Sequence, residues 1–153
     1  MEIQKLLEDN IYDIVDEAFK SMICLKLKGY NQEGDEKTKE KLRILYSTLV
    51  ECVEEKSLIP MLNHVENIAK ERFSAGYDLY EVQSAINELE EAIWKRIFKD
   101  IKPESLAEAL GLVSTVLGAG KDTLARTYVS LATKSKVSSL NLQALFKGSE
   151  GNR

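Results

Sequence analysis

The chain has 153 residues and a mass of 17.3 kDa; 44% of its residues are hydrophobic, 30% are charged, and its formal net charge is −4. That length supports one core that buries roughly two-thirds of the surface exposed by the unfolded chain, and a composition with only two prolines excludes the disordered and fibrous classes. A pI near 5.2 argues against a general nucleic-acid binder, which needs a basic face to neutralise phosphates.

In chain order, Ile3, Leu6, Leu7, Ile11, Ile14, Val15, Ala18, Phe19, Met22 and Ile23 keep the three-and-four spacing of a helix that buries one stripe. Asn10 can cap a second helix, with Asp13 at the third position, but the unbroken stripe favours a bent or continuous rod. The segment GYNQEGD, Gly29 to Asp35, has two glycines and no period and is expected to be a loop.

Helical spacing resumes at Leu42, Leu45, Tyr46, Leu49 and Val53, and Ser57 is placed to cap the next helix, with Pro60 in its first turn. That helix has a stripe of Leu62, Val65, Ile68, Ala69 and Phe73 and stops at Gly76, which can take the left-handed conformation. Asp78 and Glu81 form a capping box for the following helix, with Tyr77 and Val82 at the staple positions. The new helix should bury Leu79, Val82, Ile86, Leu89, Ile93 and Ile97 and leave Glu81, Glu88, Glu90, Lys95 and Lys99 in water.

A last long helix starts around Pro103 and runs through Leu106, Leu110, Val113, Leu117, Leu124 and Tyr128 toward Ala132. Gly111, Gly118 and Gly120 each cost about 1 kcal/mol against alanine inside a helix, so their crowding needs a reason. Ala107, Gly111, Ser114, Thr115, Gly118 and Ala125 share one side and make a smooth face against which a second helix axis can lie close, from this chain or from a second subunit. A kink at Gly118-Ala119-Gly120 is the other reading. Past Ala132 the period weakens, and Leu140, Leu142, Leu145 and Phe146 form an apolar cluster that calls for a docking surface. The organisation is thus a helical domain over residues 1–134 and a docked or partner-binding tail over 135–153.

From Lys121 to Arg153 there are six basic and two acidic residues, which leaves the remainder at −8. Cations near the end of the last helix complement its dipole. The amino terminus, MEIQKLLEDN, is too acidic and too poor in apolar residues for a signal peptide, and no apolar run is long enough to span a membrane, so a cytoplasmic location is expected.

Little in the chain supports bond-making chemistry. His64 is the only histidine, Cys24 and Cys52 lack zinc spacing, and no GxSxG, Walker or GxGxxG pattern occurs. The residue three before His64 is Met61, which excludes the Glu-x-x-His pattern of di-iron bundles. Glu88 with Glu91, or Glu51 with Glu54 and Glu55, read as solvating carboxylates. His64 is the one residue that a haem could use as a ligand, weighed against a boundary histidine without a metal.

Arg72, Gly76, Leu79, Glu81, Val82, Leu89 and Ile93 stand in the order arginine, spacer, glycine, leucine-x-glutamate-valine and amphipathic helix. In this the chain resembles the N-terminal sensor domain of RsbR-type co-antagonists of the bacterial stressosome, a domain also found ahead of some sensor kinases. The match is best from Leu42 to Ile97, and the TYVSLA segment from Thr127 is similar to the end of the family's last helix. The resemblance implies an all-α, globin-like bundle of about five to six helices without haem, and a homodimer that signals through protein contacts. No STAS, PAS or kinase module follows within these residues. The expectation is a regulatory domain with no catalytic residues, no cofactor and no metal, an interface at Ala107, Gly111, Ser114, Gly118, Leu140, Leu142, Leu145 and Phe146, and no nucleic-acid or membrane partner. The alternative is a small-molecule or haem-binding protein that uses His64.

Overall fold

In a computed structural model, residues 2–151 of the chain are described, with side chains as far as residue 136. Seven helices and no strands occur among the described residues: α1 (Glu2–Asp9), α2 (Ile11–Leu25), α3 (Lys28–Glu33), α4 (Asp35–Glu55), α5 (Ile59–Ser74), α6 (Leu79–Asp100) and α7 (Pro103–Gly151). The class is all-α, as the periodicity predicts, with more helices than the expected five to six.

One of the additional helices comes from a break in the amino-terminal rod. Asn10 leaves helical geometry (φ −123°, ψ 20°), and its side-chain nitrogen Nδ2 donates to the Leu6 carbonyl at 2.8 Å. Its side-chain oxygen accepts from Arg96 Nη2 at 2.5 Å, which ties the break to α6. Ile3, Leu6 and Leu7 of α1 and Ile14, Val15, Ala18, Phe19 and Met22 of α2 still face one core, so the apolar stripe crosses a break that it does not reveal.

The other is α3, in the segment expected to be a loop. Tyr30 is buried there, and the Gly29 amide donates to Glu81 Oε1 at 2.6 Å, so a contact 52 residues away along the chain holds a turn of helix that the local sequence does not favour. Gly34 (φ +96°) then redirects the chain, and α4 begins at Asp35, a full two turns before Leu42.

The α5 amino terminus differs from expectation by one residue. Leu58 occupies the cap position, and the Ser57 hydroxyl accepts the Ile59 amide at 3.2 Å. At the far end of α5, Gly76 is left-handed (φ +86°), with the Tyr77 amide donating to the Arg72 carbonyl at 2.9 Å and the Gly76 amide to the Phe73 carbonyl at 3.1 Å. This pair of bonds is a Schellman stop. Two residues on, the expected capping box opens α6, with the Asp78 amide donating to Glu81 Oε2 at 3.0 Å.

α6 and α4 run through the middle of the bundle. α2 packs on both, α5 and α6 pack on α7, and α1 closes one end against α4 and α6. Tyr46, Leu49, Ile86, Leu89, Ile93, Ile97, Leu117 and Leu124 are fully buried where these helices meet. Two of the carboxylates expected to stay wet do not. Glu81 is 7% exposed, with backbone amides as partners, and Glu90 is also 7% exposed, accepting from Lys121 Nζ at 2.9 Å. α7 spans 49 residues, or about 74 Å at 1.5 Å per residue, whereas its partner α5 has 16. Tyr128 is its last buried side chain among the described residues, and Ala132 to Lys136 are exposed. No helix among the described residues is long and apolar enough to cross a membrane.

Candidate functional site

The junction of α3, the α5–α6 turn and α4 gathers the polar side chains of the interior. Tyr77 stands at its centre. Its ring meets the Tyr30 ring edge-on at 5.0 Å, and its hydroxyl lies 2.9 Å from Glu33 Oε2 and 3.2 Å from the Gly29 carbonyl. Burial, then the Glu33 carboxylate, raises the Tyr77 phenol well above its usual range. Lys41 pairs with Glu33 and lies over both rings, 5.7 Å from that of Tyr30 and 5.2 Å from that of Tyr77. Tyr128 of α7 donates its hydroxyl to the Tyr77 carbonyl at 2.8 Å, and burial pushes that phenol up to about 12.

Arg72 completes the junction. Its side chain is 5% exposed; Nη1 donates to Glu71 at 2.8 Å, its guanidinium lies 5.9 Å from the Tyr77 ring, and buried Nε has no hydrogen-bond partner among the described residues. A guanidinium stays charged at any physiological pH, and taking it out of water costs several kcal/mol unless it is well paired. The Glu71 side chain is 64% exposed and compensates only weakly.

Beside Arg72 lies a cavity of about 240 Å³. Met22, Leu42, Leu45, Ile68, Val82 and Ile86 give it apolar walls, and Tyr30, Thr38, Lys41, His64 and Arg72 supply polar groups. Exposed Ile44 and Glu71 stand at its margin. His64 is half-buried, and burial, reinforced by the positive charge of Arg72, lowers its imidazole below the ordinary value. A neutral imidazole is the form that binds a metal, but the volume lies under the ~300–1,000 Å³ typical of pockets for drug-sized ligands. The cavity's volume suits a molecule smaller than a porphyrin.

The sequence-derived interface residues are distributed along α7. Ala107 and Gly111 are exposed, and Ser114 and Gly118 are half-buried. A side-chain carbon placed on Gly111 or Gly118 would meet nothing within 4 Å among the described residues, so neither glycine is explained by the close approach of another described helix. Gly120 does: a carbon there would stand 3.2 Å from the Met61 side chain and 3.3 Å from that of Val65, which identifies it as the glycine that lets α5 approach α7. Val129, 62% exposed, extends the line of Gly111, Gly118 and Ala125 at helical spacing. The side chains of Leu140, Leu142, Leu145 and Phe146 lie outside the described residues.

Sequence reasoning missed Tyr30 and Lys41, which precede or begin the recognisable apolar periods. Arg72 carried a signal: it follows Val65 by seven and Ala69 by three, on the stripe that faces the core. Cys24 is exposed and Cys52 buried, both as free thiols, and burial raises the Cys52 thiol, the opposite of activation. Among the described residues no three histidine, cysteine or carboxylate side chains are grouped to hold a metal ion. No protein-family model, curated protein or solved structure matches the chain.

Proposed function

We propose that this chain is a non-enzymatic regulatory input domain that acts through protein contacts, a globin-like bundle of the kind its resemblance to RsbR-type sensor domains implies. In this reading it is cytoplasmic and pairs with a second copy along the outward face of α7. The observation that carries the reading is the unequal situation of the three helix glycines. Each costs about 1 kcal/mol in a helix interior. Gly120 is accounted for by Met61 and Val65, whereas nothing among the described residues accounts for Gly111 and Gly118. Small residues that leave a helix smooth on its open side allow a second axis to come close, and the exposed Val129 adds apolar area to the same line. The cluster at Leu140, Leu142, Leu145 and Phe146 would then meet the regulated protein.

The test is the mass in solution by light scattering. Gly111→Leu with Gly118→Leu adds side chains whose first carbon meets nothing within 4 Å among the described residues, so the fold should persist while the dimer mass falls to that of one subunit. An unchanged mass with unchanged circular dichroism would refute the α7 contact.

A second reading is favoured by the cavity beside Arg72: binding of a small molecule, with His64 on the wall and not as a haem ligand. The two are compatible, since a ligand held between α4, α5 and α6 can bias helices that pack on α7.

A further inference from the structure

We infer that the cavity between α4, α5 and α6 receives a small apolar molecule bearing a carboxylate, with the carboxylate on Arg72; this deepens the small-molecule reading above and rests on it. Two independent observations lead there. The walls at Met22, Leu42, Leu45, Ile68, Val82 and Ile86 offer an apolar body a place out of water. The one guanidinium on those walls is 5% exposed and holds a buried Nε donor that no group among the described residues satisfies. A buried donor left unpaired is unfavourable, and a charged one more so.

The charges near the mouth decide the sign of the ligand. Lys41 is already met by Glu33, and His64 is held toward its neutral form beside Arg72. Arg72 is left with Glu71, which is largely in solvent and can be displaced at little cost, and with the buried Tyr30 phenol beside it, which supplies no charge of opposite sign. An arginine fork matches the two oxygens of a carboxylate in one plane, which neither a neutral amide nor an alcohol reproduces. About 240 Å³ admits on the order of ten non-hydrogen atoms, judged against ~30 Å³ per water in the liquid. The ligand class is therefore a short aliphatic or single-ring carboxylic acid.

The experiment compares benzoate and hexanoate with benzamide and hexanamide on the unmutated full chain, followed by isothermal titration and by amide chemical shifts. The acids should bind saturably and at least about tenfold more tightly than the amides, the difference expected when a hydrogen bond to a charged group is lost. Shifts should concentrate at Ile68, Arg72, Val82 and Ile86. Arg72→Gln should abolish the preference for acid over amide, and Arg72→Lys should restore part of it. If acids and amides bind alike, the carboxylate assignment is overturned while the cavity remains a ligand site. If none binds, both are overturned. The comparison on the unmutated chain decides the matter even where Arg72→Gln does not fold.

Discussion

The ring of Tyr77 fills the space where a side chain on Gly29 would begin: a carbon built on Gly29 would lie 2.7 Å from Cε2 and 2.8 Å from Cδ2 of that ring. The ring cannot step aside easily, because its hydroxyl is held between Glu33 and the Gly29 carbonyl and its edge meets Tyr30. Gly29→Ala should therefore destabilise the protein by about 1–2 kcal/mol, the overpacking cost exceeding the roughly 1 kcal/mol that alanine gains in a helix. The midpoint of urea unfolding measures this; a midpoint raised above the parent's would show that the ring yields.

Glu81 joins three elements through two bonds, accepting the Gly29 amide with one oxygen and the Asp78 amide with the other. Glu81→Ala should cost about 2–3 kcal/mol, since it removes a helix cap and strands the Gly29 donor. Glu81→Gln keeps only one acceptor and should fall between the parent and the alanine variant. Equal stability of all three in urea titrations would refute the bridging role.

The fully buried Tyr46 donates its hydroxyl to the Leu7 carbonyl at 2.6 Å and so anchors α1 to α4. Tyr46→Phe should cost about 1 kcal/mol, the net value of such a bond. Amide exchange in α1 should accelerate more than exchange in α6. Uniform acceleration through the chain would instead indicate that α1 opens only with the whole fold.

His64 gives acid stability a definite sign. Its imidazole is lowered in the fold by burial and then by Arg72, so below about pH 6.5 the unfolded chain binds more protons than the folded one. This contribution is intact above about pH 6.5 and is lost as the pH falls through the lower folded value. His64→Gln should therefore show a shallower loss of stability than the parent between about pH 7 and pH 5 in urea titrations. Parallel profiles would show that the histidine titrates alike in both states.

Much of the helical architecture is legible from local signals. Apart from Ile23, which is exposed, the stripes at three-and-four spacing from Ile3 to Tyr128 report faces that are buried or partly buried, and the stop at Gly76 with the start at Asp78 is fixed by backbone geometry within a few residues. These features are encoded where they occur, so they survive without knowledge of what packs against them.

The junction around Tyr77 is different in kind. That Lys28–Glu33 is a helix, that Glu81 and Glu90 are buried, and that Arg72 borders a cavity all depend on partners tens of residues distant, such as Gly29 with Glu81 and Glu90 with Lys121. The helix glycines divide in the same way: their count is written in the chain, but only the packing of α5 on α7 separates Gly120, pressed by Met61 and Val65, from Gly111 and Gly118, which face open space. The sequence by itself determined where apolar faces form, because that is periodicity. The tertiary structure alone decided which polar and small residues those faces enclose, because that is a matter of which distant surfaces meet.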